Sequence, residues 1–273
     1  MGVTRRDFIR SATAISAGAL AGVGAYGAVY GRHQIELIAR DVTVRGLPPA
    51  LDGLRLGMIT DVHHSAVVPA EDVTRAVTLL KGAAPDIVVL GGDYISFLDR
   101  TYAAPVAELL APLANAPHGS FAVLGNHDDE REVPAALSSR GFSVLKDQRT
   151  SLTIKGEQLD LAGIRFWTRS PGEVASVLKG TGGTTVLLAH DPRRLAEAAS
   201  LDVQLVLSGH THGGQVIVPG VGAVAGRKFP VLAGYAMRDN TALFVSRGVG
   251  TVYVPLRVNC PPDVAVLTLR SER

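Results

Sequence analysis

The sequence predicts an α/β protein built from layers of helix and sheet, on three observations. Short apolar runs of strand type recur along the chain, and each ends at a polar cluster: LRLGMITD at Asp61, DIVVLGGD at Asp93, SFAVLGNHD at Asn126, TTVLLAH at His190 and VQLVLSGHTH at His210. Between them lie segments with helical spacing of apolar residues, at about 69–82, 102–114, 130–140, 172–179 and 193–200. After Gln215 the texture changes to VIVP, ALFVS, TVYVP and VAVLTLR, apolar runs parted by glycine and proline that read as consecutive strands. Strands alternating with helices at this rhythm make α/β layers, with a C-terminal part that is mostly β.

The N-terminus is a different kind of segment. TRRDFIR (4–10) is followed by the uncharged SATAISAGALAGVGAYGAVYG (11–31). Paired arginines, a phenylalanine and a small-residue apolar stretch resemble a bacterial twin-arginine (Tat) export signal. The stretch is close to the ~20 residues that cross a bilayer. No clear small-x-small cleavage site precedes Gly31, so removal and retention as a membrane anchor both stay open. The expected division is therefore 1–32 as signal or anchor and 33–273 as the folded domain, delivered outside the cytoplasm, to the periplasm or cell surface, by the twin-arginine export machinery. That route carries folded proteins, often with metal already loaded. IELIARDVTV (35–44) then alternates and predicts a first strand, and LPPALDG (47–53) a turn.

The totals limit the partners. At 273 residues there is ample chain for a core. A formal charge of +2 with no basic run disfavours nucleic acid. One cysteine, Cys260, excludes an intramolecular disulfide and is expected to be a small, partly buried residue before Pro261 and Pro262.

Ligands of α/β sheets collect at the carboxyl ends of strands, and five strand ends here carry Asp, Asn or His. In order they are Asp61 and His63 in TDVHH, Asp93 in GGDY, Asn126, His127 and Asp128 in GNHDD, His190 in LAHDP, and His210 and His212 in GHTHGG. A lone histidine at a strand end is more often structural than a ligand. Five such pieces at five strand ends point to one polar site. Carboxylate, imidazole and amide oxygen together suit divalent Mn, Fe, Zn or Co. The donors are too many for one tetrahedral ion and about enough for two sharing a bridge, for which Asp93 is the natural candidate. Two such ions can clamp both ends of an in-line displacement at phosphorus. In extended backbone, residues two apart point to the same side, which accounts for the D-x-H and H-x-H spacings.

Together, D-x-H, G-G-D, G-N-H-D, the single His190 and G-H-T-H-G-G-Q resemble the calcineurin-like metallophosphoesterase superfamily, from about Leu54 to the C-terminus. The tail SRGVGTVYVPLRVNCPPDVAVLTL is similar to a bacterial subfamily that often carries a twin-arginine signal and includes phosphodiesterases. The resemblance implies a four-layer α/β/β/α sandwich with two mixed sheets and a dimetal site at its edge. It implies that Asp61, His63 and His212 hold one divalent ion, that Asn126, His190 and His210 hold the other, and that Asp93 bridges them. His127 would face the phosphate and protonate the leaving oxygen, and Asp128 would orient His127. The family often has Asp or Asn three residues after the bridging aspartate, where this chain has Ser96.

Substrate-side signals are thinner. Arg227, Lys228 and Arg247 are candidates to meet a phosphate, against surface charge. Tyr94, Phe97 and Trp167 are candidates for an apolar groove, against core. His64 is expected to be exposed or substrate-facing, and 165–173 to form a loop from which a lid could be built. The function expected is an exported dimetal phosphoesterase that hydrolyses a phosphodiester or pyrophosphate by metal-activated water, with a lipid-linked phosphate ester among its candidate substrates. A phosphomonoesterase or phosphoprotein phosphatase would use the same site, and diester and monoester assays separate them. An inactive metal-binding protein would show a damaged ligand set, and none of these positions is damaged.

Overall fold

The computed structural model describes residues 4–272. In chain order the elements are α1 (Arg5–Val29), β1 (Glu36–Val44), β2 (Arg55–Ile59), α2 (Ala70–Gly82), β3 (Ile87–Leu90), α3 (Ala103–Leu110), β4 (Ser120–Ala122), α4 (Glu132–Ser139), β5 (Ser143–Val144), β6 (Gln148–Ile154), β7 (Glu157–Gly163), α5 (Pro171–Leu178), β8 (Thr184–Leu188), α6 (Leu195–Ser200), β9 (Leu205–Ser208), β10 (Ile217–Val218), β11 (Gly222–Ala223), β12 (Gly234–Arg238), β13 (Thr241–Val245) and β14 (Asp263–Ser271).

Two six-stranded mixed sheets form, in the orders β1-β14-β2-β3-β4-β5 and β12-β13-β9-β8-β7-β6. Within each, the strands that carry the polar clusters run parallel: β2, β3 and β4 in the first, β8 and β9 in the second. The alternation along each strand explains the layers. Ile87 and Val89 face a core between the sheets, shared with Leu159, Leu161, Leu205, Leu207 and Phe244. Val88 and Leu90 face the other way, onto Val77 and Leu80 of α2 and Val106 and Leu110 of α3. On the second sheet Leu187 and Val206 turn outward onto Val174 of α5 and Leu195 and Ala198 of α6. The result is α/β/β/α, with every strand buried on both faces where it reaches the site.

Two expectations need correction. TVYVP (251–255) is not a strand; it is an irregular wall between the segment that follows β13 and β14. The remaining C-terminal strands also do not run on in one series: β12 pairs with β13, but the strands divide between the sheets. β13 pairs with β9 in the second sheet, whereas β14 crosses to the first and lies between β1 and β2. The last strand thereby ties the two sheets together.

α1 stands off the body. Of the described residues in its apolar span, Ile9–His33, only Gly27 and Gly31 are buried, and the span is long and apolar enough to cross a membrane. Only its end docks. Arg257 N–H donates to Gly27 O at 3.2 Å. A Cβ on Gly27 would lie 2.7 Å from the Arg257 carbonyl oxygen, so glycine permits the approach.

Candidate metal centre

The carboxyl ends of β2, β3, β4, β8 and β9 meet at one edge of the sandwich. Six of the expected residues form two groups of donor atoms there: Asp61, His63 and His212 in one, Asp93, His190 and His210 in the other. Asp93 Oδ2 lies 3.0 Å from His190 Nε2 and 3.6 Å from His63 Nε2, one from each group, where a bridging oxygen belongs. His212 Nε2 is 3.3 Å from Asp61 Oδ1. The fit to metal rests on orphaned atoms. His63 Nε2, His190 Nε2 and Asn126 Oδ1 are buried with no hydrogen-bond partner. A buried polar atom left unpaired costs about 1–3 kcal/mol, and a cation at each group would satisfy the two imidazole nitrogens.

Main-chain geometry builds the site differently from the expected extended segments. Asp61, His63, Asp93, His210 and His212 all have φ between 49° and 70°. Left-handed backbone at five non-glycine residues is strain held by the surrounding fold. The D-x-H and H-x-H pairs therefore converge through sharp turns, not through strand pleat. Hydrogen bonds hold the turns: His210 N–H donates to both Asp61 oxygens at 3.0 Å, and His127 N–H donates to Asp93 Oδ1 at 2.8 Å. The latter leaves Oδ2 as the free oxygen of Asp93. A Cβ on Gly125 would collide with Asp93 Oδ1, so glycine is required before Asn126.

Each imidazole is oriented by its far nitrogen. His190 Nδ1 donates to Gly91 O at 2.8 Å, and His63 Nδ1 lies 3.3 Å from Ser96 Oγ, so both turn Nε2 to the centre. The serine that departs from the family pattern thus supports a candidate ligand. Burial pushes His63 down to about 4 and His210 to about 3, and holds His212 well below the usual imidazole range, so their lone pairs are free at neutral pH. Burial also works against charge on Asp93 and His190, but their mutual attraction outweighs it. Asp93 falls below the carboxylate range and His190 rises to about 10. A divalent cation at the centre would displace the His190 proton.

His127 is buried and its ring packs edge-on against His63 at 5.0 Å, but it belongs to neither donor group. Its Nδ1 accepts from Phe97 N–H at 3.1 Å, and Phe97 and Tyr253 pack on it at centroid distances of 5.0 and 6.1 Å. Asp128 does not touch it, against expectation. The Asp128 carboxylate accepts from the N–H groups of Asp93, Tyr94 and Gly125 at 2.7–2.9 Å and of Ile95 at 3.3 Å, and so braces the loop that carries Asp93. Burial, with Asp93 nearby, lifts Asp128 to about 7.

The other expectations divide. Arg247 is not a phosphate contact: its guanidinium is taken by Asp263 at 2.7 Å and Glu36 at 2.9 Å. Arg227 is exposed and has no ion pair among the described residues; its neighbour Lys228 lies 5.4 Å from the Phe229 ring, which packs on His210. His64 is buried, bonded to Val68 O at 3.0 Å and stacked on Tyr102, so it is structural. Tyr94 is core, its hydroxyl donating to Leu90 and Val123 carbonyls, while Phe97 and Trp167 are exposed at the rim. Cys260 is fully buried beneath His212.

Arg257 escaped the reading of the sequence. It is 1% exposed and has no carboxylate partner; it donates to the carbonyls of Arg247, Gly248 and Gly250 at 2.6–3.1 Å and lies 3.4 Å from His212 O. A buried guanidinium thus ties the His212 turn to the tail. The signal was an arginine inside the apolar run PLRVNCPP.

Two adjacent donor groups at the carboxyl ends of a two-sheet α/β sandwich define a dinuclear metallohydrolase. A family model described as calcineurin-like phosphoesterase matches residues 54–214, and the chain belongs to that family. It is a metal-dependent phosphoester hydrolase of a family that uses a dimetal centre, and the two groups are the candidates to form it. It is 30% identical to the uncharacterized metallophosphoesterase YkuE of Bacillus subtilis, over 98% of each chain. It is 32% identical to the phosphodiesterase YaeI of Escherichia coli, over 77% of this chain and 80% of that one. It is 29% identical to a transmembrane protein with metallophosphoesterase domain from Danio rerio, over 90% of this chain and 60% of that one.

Proposed function

We propose that the protein hydrolyses a phosphodiester or pyrophosphate outside the cytoplasm, tethered to a membrane by α1. The observation that carries the diester reading is the pair of apolar walls on opposite sides of the centre. Phe97 and Tyr253 flank His127 on one side. Phe166 and Phe229 pack on His210 at 5.1 and 5.2 Å on the other, with Arg169, Arg193 and Lys228 over the Phe166 and Phe229 rings. A diester has two arms to seat; a monoester has one.

In this reading Asp61, His63 and His212 hold one ion, and Asn126, His190 and His210 the other, with Asp93 between. Bound there, a divalent pair supplies a water nucleophile at neutral pH and positive charge for the phosphoryl oxygens. His127 supplies the leaving-group proton. Its Nδ1 accepts from Phe97 N–H, so the ring proton sits on Nε2, the atom left to face the substrate. Export is supported by Arg5 and Arg6 ahead of the apolar helix, and a membrane setting by the transmembrane relative.

The test is the rate of bis-p-nitrophenyl phosphate against p-nitrophenyl phosphate hydrolysis by metal-loaded protein. The diester should be preferred in kcat/KM by about tenfold or more, the order of effect one seated apolar arm supplies. Preference for the monoester would overturn the diester reading.

A further inference from the structure

A cleft of about 450 Å³ opens beside His127, walled by segments at 65–67, 96–102 and 251–255. Such a volume is within the ~300–1,000 Å³ range of small-ligand sites. Its surface is unusually apolar for one left in water. Val67, Phe97, Tyr253 and Val254 are 47%, 61%, 78% and 55% exposed. The Phe97 and Tyr253 rings lie 5.6 Å apart and both pack on His127, so the cleft adjoins the catalytic centre through these two rings. Grouped exposed apolar side chains of this kind mark a binding surface. The one charged residue in the lining, Asp99, is turned onto Thr101, accepting from its N–H and hydroxyl at 3.1 and 2.6 Å. No lining residue is cationic, and the nearby Arg32 guanidinium is engaged with the Val67 carbonyl at 3.1 Å. Arg169 and Lys228 stand instead over Phe166 and Phe229, on the His210 side of the centre, where Arg193 is paired with Asp191.

The cleft also adjoins the point where α1 joins the body. Arg32 Nη1 donates to the carbonyl of Val67 at 3.1 Å. Gly27 packs on Leu256, Arg257 and Val258, which continue the wall formed by 251–255. Tyr26 and Tyr30, both exposed with rings 5.3 Å apart, sit at this end of α1. Tyrosines at the end of an apolar helix favour the membrane–water interface. Placed so, the mouth of the cleft would lie close to the bilayer surface.

We propose that this cleft seats the aliphatic arm of an amphiphilic phosphodiester drawn from the membrane in which α1 is set. The proposal rests on the tethered phosphodiesterase reading above. The cationic far side would take the polar head, and the phosphate would lie between at the metal centre.

The test uses the full chain, metal-loaded and reconstituted in phosphatidylcholine vesicles, with ethyl, butyl, hexyl and octyl esters of 4-nitrophenyl phosphate. Val67→Asp and Val254→Asp place a charge in opposite walls at exposed positions, where folding is little affected. Partition of the chains into the vesicles is common to all three proteins, so a difference in chain-length dependence belongs to the cleft. Each seated methylene should raise kcat/KM about threefold to fourfold. The octyl-to-ethyl ratio should therefore be larger in the wild type than in either variant by about tenfold or more. Equal ratios in the three proteins would overturn the cleft proposal and leave the phosphodiesterase reading standing, because turnover of the ethyl ester reports that separately. If no diester turned over while nitrophenyl phosphate did, the phosphodiesterase reading would fall. The cleft would then be decided by calorimetry with octyl and ethyl methylphosphonate, on the same tenfold criterion between wild type and variants.

Discussion

His127 accepts at Nδ1 from the N–H of Phe97, and that contact sets which ring nitrogen carries the proton. Burial lowers its affinity for a second proton, and a doubly protonated ring would in any case lose the Phe97 bond. His127 is thus suited to act as a neutral donor through Nε2. His127→Ala should keep two metal ions per chain by elemental analysis while losing about 10²–10⁴-fold in rate on alkyl diesters. The loss should be much smaller with p-nitrophenolate as leaving group, which needs little protonation. Loss of an ion would make His127 a ligand; equal losses on both substrates would make it a charge stabiliser. At this scale the residues that the fold brings together were legible because each sits at the end of an apolar run, where a buried polar group needs a purpose. Their backbone was not legible. Left-handed φ at Asp61 and His63 comes from hydrogen bonds between β2 and β3 ends, such as His63 N–H to Asp93 O at 3.0 Å, which no local pattern reveals. Asp128 and Arg257 act through main-chain groups, which carry no residue identity, and such roles leave no spacing to detect.

Among elements, the helices were read to within a few residues because their apolar period meets a flat sheet: the segment expected at 69–82 is α2 at Ala70–Gly82, and that at 172–179 is α5 at Pro171–Leu178. The β6–β7 hairpin was not read. Its strands are mostly polar on one face, and its turn is Lys155-Gly156, both at positive φ, without the usual Asn-Gly signal. What stabilises its far side is Asp160, fully buried, which accepts from the Ser151 hydroxyl, from Gln158 Nε2, and from the N–H groups of Gly182 and Gly183 at 2.9 and 3.0 Å. Burial opposes its ionisation, yet these donors outweigh burial and hold it below its ordinary 3.8. A carboxylate with a depressed folded pKa stabilises above the unfolded value and loses that contribution as pH falls through the folded one. Asp160→Ala should therefore cost about 1–3 kcal/mol near neutrality, since it orphans several donors. The gap from wild type in urea unfolding should narrow at pH 3. A gap of equal size at pH 7 and pH 3 would show that the charge contributes nothing.

For the whole molecule, the order of the two sheets, the site and α1 is one arrangement. The crossing of β14 between β1 and β2 fixes the first sheet against the second, and the tail before it, 247–260, runs from the metal centre past the cleft to the end of α1. A protein that must fold this tail and gather donors from five strand ends before it can hold metal is suited to crossing a membrane already folded. Arg5 and Arg6 are exposed at the start of α1, ahead of an apolar span with little contact to the body, so they are accessible to a receptor while the domain is folded. Recognition of paired arginines depends on the guanidinium fork, which lysine lacks. Replacing Arg5 and Arg6 together with lysine keeps the charge and should leave the folded, active protein in the cytoplasmic fraction of the producing cell. Its activity per molecule in lysate should match the wild type, because neither residue lies near the site. Unchanged delivery of the double variant to the cell envelope, measured by fractionation against a cytoplasmic marker, would exclude the twin-arginine route. Loss of activity with normal delivery would instead mean that the helix acts on the catalytic domain through its docked end at Gly27.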